Sequence, residues 1–384
     1  MLSIRNFSKE WNFKFPVVSV ILFYTPFYRR SRDVESLMLA FKEKGHRVIS
    51  LTQLEGRDIN PFLQTCGIET FSYYLPGEQN FFYFLRHLLY FIQFCWRNDV
   101  SIVFSHLDAA NFVASIGQYF IRSKVYLCRH HIDEAALYKY HLSWSYRLTN
   151  FLAREIIAVS KHSVDYMIKV EGISPRKLIH INLGYDFSLF PSPDKKTIQT
   201  IRSKYGGAPL LISVCRLTHF KRPDLSIQLV EKLRENGINA KLIILGSGPM
   251  QSSLEQYVHA KDLRDVVFFL GHINNVLEYI AASDFLIHPS VLESSCVVVK
   301  EAGLVERPVI VCRGIGDFDD YLHHGRNGFL VRKDNFVDDA SEIIAANLDR
   351  RELLNELGGR LRGDVLERFD IRNIIPKYDF IFKK

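Results

Sequence analysis

HPSVLESSCVVVKEAGLVERPVI, residues 288–310, holds the end of a strand, a polar loop and the start of a helix in direct succession. FLIHP (285–289) is an apolar run of strand length, and PVIVC (308–312) is another. Two such runs joined by a helix make a βαβ unit, in which the strands lie parallel and the helix covers the sheet. The helix is expected from about Ser295 to Glu306, so its N-terminus meets the sheet edge at which open α/β folds bind ligands. The backbone N–H groups of Ser295, Cys296 and Val297, with Ser294 just before them, would lack intrahelical partners and favour an anion or an array of hydroxyls.

The same alternation runs outward in both directions. LLISVCR (210–216), AKLIILG (240–246) and VVFFLG (266–271) are strands separated by amphipathic helices. Upstream, VVSVILFY (17–24) is a buried strand, DVESLMLAFKEK (33–44) has helical spacing and ends at Gly45, and HRVISLT resumes as strand. SIVFSH (101–106), KVYLCRH (124–130) and EIIAVS (155–160) continue the series. Pro191, Pro193, Gly206 and Gly207 mark a polar stretch between the two series. The fold class is therefore α/β, with two tandem Rossmann-like, doubly wound domains facing a central cleft: 1–190, a linker at 191–208, and 209–384, the final helix packing back on the first domain. No repeat of 20 to 50 residues is visible, so a solenoid is not expected.

Glu293 lies in the loop of the opening stretch and Glu301 about two turns into its helix. Carboxylates so spaced suit a sugar hydroxyl pair at one end of a ligand and a ribose diol at the other, with a diphosphate between them. The competing reading makes both of them solvated charges. VCRLTHFKRPD (214–224) puts Arg216 and Lys221 at the end of another strand, where fixed cations would offset charge developing on a departing diphosphate. Gly246 and Gly248 form a Gly-Ser-Gly turn after a further strand, without the third glycine and following Asp of a dinucleotide fingerprint. Asp317-Phe318-Asp319 has the spacing of a metal motif but follows a Gly-x-Gly turn, and the His pairs at 130–131 and 323–324 lack the spacing of a zinc site. No metal is expected.

Together these segments resemble the retaining glycosyltransferases of the GT-B class known as family 4. The resemblance is carried by VCRLTHFKRPD, LIILGSGP, AASDFLIHPSVLES with VVVKEAGLVERPVIVC, and GIGDFDDYLHHGRNGFLV (314–331), and less strongly by EIIAVSKHSVDYM and KLIHINLGYDFSLF. It covers 155–384 closely and 17–150 in outline. It implies transfer of a sugar from a nucleotide donor, UDP- or GDP-linked, to a saccharide or lipid-linked saccharide, with no cofactor required. Glu301 looks like the carboxylate that binds the ribose, Glu293 like the one near the donor sugar, and Arg216 and Lys221 like the pair that grips the diphosphate. His130 aligns with a histidine that lines the donor sugar pocket, and His131 takes its place if the register moves by one. Three departures stand out: Ser294-Ser295-Cys296 where the family commonly has Gly-Phe-Gly, Asp320 where it often has Glu, and a first loop, TPFYRRSRD (25–33), without paired glycines. A protein that only binds a nucleotide sugar or polysaccharide, or a nucleotide-sugar epimerase or phosphorylase on the same architecture, is the alternative.

Composition agrees with a globular two-domain chain of 384 residues, 47% apolar and 24% charged. The net charge of +7 fits an anionic ligand or an anionic membrane surface and falls short of a nucleic-acid coat. Six scattered cysteines imply reduced thiols in the cytoplasm, and the N-terminus reads as a first strand, not a signal peptide. The apolar stretch Phe81 to Trp96 contains Arg86 and His87 and is shorter than the roughly 20 residues of a spanning helix. Arg29, Arg30 and Arg32 crowd the first loop as candidates for acceptor or phosphate. Eleven aromatic residues between Phe71 and Trp96, with Arg86 and Arg97, suit either a core helix or a lipid headgroup layer at the inner face of the membrane.

Overall fold

The structure is a computed structural model that describes residues 18–26, 30–75, 81–130 and 144–382. Arg29, His131 and the N-terminal segment before Val18, on which expectations fell, lie outside the described residues.

Two parallel sheets organise the chain. The first has seven strands in the order β3-β2-β1-β4-β5-β6-β7. These are β1 (Val20–Thr25), β2 (Arg47–Thr52), β3 (Glu69–Ser72), β4 (Ile102–His106), β5 (Lys124–Arg129), β6 (Glu155–Ala158) and β7 (Leu178–His180). The second has six, in the order β10-β9-β8-β11-β12-β13. They are β8 (Leu210–Val214), β9 (Lys241–Leu245), β10 (Val267–Gly271), β11 (Phe285–His288), β12 (Val309–Cys312) and β13 (Phe329–Val331). In each sheet the order reverses beside the first strand of its series, the switch point at which such folds open a ligand crevice. Central strands such as β4 and β12 are buried along their whole length, as apolar runs covered on both faces must be.

β3, β7 and β13 are absent from the sequence reading. They are edge strands of three or four residues, too short for periodicity to mark, and β3 is largely exposed as well.

Within 191–208 lies the helix Lys195–Lys204, capped by the Asp194 carboxylate on Thr197 N, with Ile201 and Tyr205 in the second core. At its other end the chain crosses back. The helix Arg351–Phe369 packs in the second core, and Ile371, Ile374, Ile375, Tyr378 and Ile381 then join the first, against residues such as Phe41 and Phe104. The two crossings are hydrogen-bonded, Tyr185 N to Phe369 O at 2.8 Å and Ile371 N to Tyr185 O at 2.9 Å. The strand ends of the two sheets face each other. Arg32, after β1, reaches Glu301 at 3.8 Å, and Lys161, after β6, reaches Asp320 at 3.6 Å.

Candidate active site

The loop after β11 and the loop after β8 meet at a buried carboxylate. Glu293 accepts from Lys221 Nζ at 2.5 Å and lies 2.6 Å from His288 Nε2, which is itself 3.5 Å from Cys296 Sγ. Burial would raise the pKa of Glu293, but the His288 hydrogen bond and charge, with Lys221 behind them, hold it down at about 2. Burial disfavours the His288 cation, yet Cys296 and Glu293 together push it up to about 9. Lys221 Nζ and His288 Nε2 thus converge on the same oxygen of one buried carboxylate. Arg216 is exposed a few residues before Lys221 on the same loop.

Backbone geometry presents this cluster. A Cβ on Gly246 would run into Cys215 O, and one on Gly248 into the Leu217 backbone, so the loops after β8 and β9 touch main chain to main chain. Leu217 N donates to Ser247 O at 3.1 Å, which fixes the base of the Arg216–Lys221 loop. Gly316, at φ +56°, packs against Glu293 where a side chain would press on its Cβ.

The helix after Glu293 runs Val297–Leu304 with Cys296 as N-cap, shorter than the expected span from about Ser295 to Glu306. Lys300 on this helix has no exposed surface. Its ammonium donates to Asp317 at 2.6 Å, Ser295 Oγ at 3.0 Å and Cys296 O at 3.2 Å, and Ser295 Oγ donates to Asp317 at 2.7 Å. Ser295 is thus tied into the loop by its hydroxyl and Cys296 by its carbonyl, and Cys296 caps a first turn that begins at Val297. Ser294 is buried beside them. Asp317 is the counter-ion of a buried lysine, and Asp319 accepts from Gly314 N at 2.5 Å, so the Asp-Phe-Asp run braces a turn.

Glu301 projects from this helix toward the first domain and is raised to about 7 by burial, with Arg32 pulling the other way. Arg32 also lies 4.1 Å over the Phe190 ring. Arg30 points elsewhere: it pairs with Glu35 at 2.7 Å and stacks on Phe62, so its charge is held inside the first domain. His130 sits between Asp33, 3.2 Å from Nδ1, and His106, 2.6 Å from Nε2. Burial opposes the Asp33 charge, but hydrogen bonds from His130 and Ser31 outweigh it and keep the carboxyl below its usual range. His106 is driven well below its usual value by burial and by His130.

Two family models tile this architecture, glycosyltransferase family 4 over residues 31–189 and glycosyl transferases group 1 over residues 194–362. The chain belongs to the family 4 glycosyltransferases. Its GT-B fold is matched by the crystal structure of Anabaena Alr3699/HepE in complex with UDP, at a TM-score of 0.80 and 19% identity over 94% of this chain and 99% of that one. Among curated relatives, the N-acetyl-alpha-D-glucosaminyl L-malate synthase of Bacillus anthracis is 29% identical over 191 residues, 49% of either chain. The poly(ribitol-phosphate) alpha-N-acetylglucosaminyltransferase of Staphylococcus aureus is 23% identical over 169 residues, 44% of this chain and 34% of that one. The chain therefore spans half or less of the length of these two relatives.

Glu293, Lys221 and Glu301 are brought to one edge of this family 4 fold, with Arg32 opposite. His288, Lys300, Asp317, Asp33 and His106 were not singled out as site residues in the sequence. A basic or imidazole side chain at the end of an otherwise apolar strand, as in FLIHP and SIVFSH, is the signal that could have found the two histidines. Among the described residues, His288, Glu293 and Cys296 also bring three ligand-type atoms within 4.8 Å of one another, but the short Lys221 contact already occupies the carboxylate.

Proposed function

We propose that this chain is a retaining glycosyltransferase that moves a sugar from a UDP- or GDP-sugar to a saccharide or lipid-linked saccharide acceptor in cell-surface polysaccharide synthesis, working in the cytoplasm at the inner face of the membrane. The reading rests above all on the convergence of Lys221 and His288 on Glu293 at the end of the second sheet's strands, the edge on which open α/β folds take their ligands. UDP in the solved fold neighbour makes uridine the first nucleotide to test. The segment 209–384 holds the donor, with Glu301 accepting from the ribose diol and Arg216, Lys221 and the N–H groups of Ser295 to Val297 meeting the diphosphate. The segment 1–190 holds the acceptor, with Arg32 and His130 on the facing edge.

In this mechanism the domains close on the donor, water leaves, and the fixed cations stabilise the diphosphate as the glycosidic bond lengthens. The acceptor hydroxyl attacks from the face the diphosphate leaves, and a donor phosphate oxygen takes its proton. The experiment is nucleoside diphosphate release with and without an oligosaccharide or lipid-linked acceptor, alongside a thermal-shift series of nucleotides. Lys221→Ala should lower release by about 10² to 10³ while the melting temperature without ligand stays within a few degrees. Near-normal release in that variant would remove Lys221 from the site.

A further inference from the structure

Exposed apolar side chains are distributed very unevenly over the molecule. Among the described residues every exposed large hydrophobic precedes Phe190, the last being Leu189, so the second domain shows none. They concentrate on the helix Phe81–Arg97 and its neighbours. At 100° per residue, Phe81, Phe82, Leu85, Leu89 and Trp96 fall within about 100° of arc, and Arg86 and Arg97 follow within roughly the next 60°. Phe81 and Phe82 are 74% and 69% exposed and Trp96 62%, whereas Tyr83, Phe91 and Phe94 on the opposite side are buried in the sheet. The aromatic run thus divides into a core half and a solvent-facing half.

The surface continues sideways. The helices Phe81–Arg97, Asp108–Gly117 and Trp144–Leu152 pack in a row, joined by Phe84 on Phe112 at 5.2 Å and Phe112 on Trp144 at 5.6 Å, and Trp144 and Phe151 are again exposed. Over 81–123 and 144–154 the charges are Arg86, Arg97, Arg122, Arg147 and Arg154, all exposed, against Asp99 and Asp108. A two-fold dimer through this face would bring arginines against arginines. A layer of anionic lipid headgroups instead supplies the missing negative charge and an acyl boundary for the aromatic rings.

We infer that this helix row is the face by which the protein lies on an anionic bilayer. The helix Phe81–Arg97 begins at the sheet edge from which the Arg32 loop leaves, because a crossover helix runs antiparallel to the strands it joins. The cleft mouth is thereby held next to the lipid surface, where a lipid-linked acceptor is presented. The inference deepens the proposed function, and it rests on that reading only for the meaning of the lipid.

The test is co-sedimentation of the full chain with phosphatidylcholine vesicles with and without phosphatidylglycerol, over a salt series. Wild-type protein should bind the anionic vesicles at least tenfold more tightly than the neutral ones, and less tightly as salt rises. The pair Arg86→Glu/Arg97→Glu and the triple Phe81→Ser/Phe82→Ser/Leu89→Ser should each lose at least tenfold, with melting temperature and UDP thermal shift unchanged. Equal binding to both vesicle types, no binding to either, or variants that bind like wild type would overturn the inference. So would a wild-type dimer in light scattering that the triple variant converts to monomer, since the face would then belong to a second copy. Loss of vesicle binding with the UDP shift intact concerns this face alone, and absence of a UDP shift in wild type concerns the donor site alone.

Discussion

At Glu301 a carboxyl is held at about 7 because burial disfavours its charge more than Arg32 restores it. Between its ordinary value near 4.5 and about 7, the unfolded chain has lost this proton and the folded chain keeps it. The contribution of Glu301 to stability therefore falls as pH rises across that window and levels off above it, by about 3 kcal/mol at most. Urea unfolding of wild type and Glu301→Gln between pH 4.5 and 7 isolates this contribution: wild type should lose stability relative to the variant as pH rises, and parallel profiles would show that Glu301 does not set it. In the proposed donor pose a bound nucleotide should change this pH dependence as well, because ribose hydroxyls would add hydrogen bonds to the ionised form beyond the Arg32 pair. The pattern of acids and bases along 288–310 made Glu293 and Glu301 visible in the sequence, but it held no sign that one carboxyl would be pulled down to about 2 and the other pushed up to about 7. Each value is set by which charges from distant segments come within a few ångströms.

Among elements, the loops after β8 and β9 show how glycine lets two loops meet main chain to main chain. Gly246 adopts φ +118° and leaves no room for a Cβ beside Cys215 O. The Gly-Ser-Gly turn was legible as a turn, but its role is to let two loops share main-chain hydrogen bonds beneath Lys221. Gly246→Ala should cost about 3 kcal/mol through strain and overlap, and should weaken UDP binding by displacing the Arg216–Lys221 loop. Calorimetry with UDP on a variant that still folds measures both. Unaltered affinity would show that the loop holds its place without this contact. The long central strands were plain in the sequence because both of their faces are buried. β3, β7 and β13 were not, since short edge strands owe their pairing to a neighbour already in place.

Over the whole molecule, the last described segment belongs to the first core. Tyr378 packs edge-on against Phe41 and Phe104, each at 5.7 Å between ring centroids, although more than 270 residues separate it from either in sequence. Tyr378→Ala should destabilise the protein by about 3 kcal/mol in chemical denaturation, as a truncated core aromatic does. A loss below 1 kcal/mol would mean that the segment merely rests on the surface. The same return of the chain places two crossings side by side at Tyr185 and Ile371, so the domains are joined by a paired strap, and closure of the cleft has to bend both.

Alternating apolar runs, helix breaks and the charges at strand ends were enough to determine the α/β class with two sheets and the sheet edge that carries the candidates Glu293, Glu301, Arg216 and Lys221, because these follow from local periodicity and strand-end position. Tertiary structure alone decided that Lys221 and His288 converge on Glu293, that Arg30 turns to Glu35 while Arg32 faces Glu301, and that Lys300 is buried against Asp317. Each of those outcomes is a contact between segments far apart in the chain or a choice between neighbours of like charge, and the energy that settles it, desolvation against pairing, exists only once the core has closed around it.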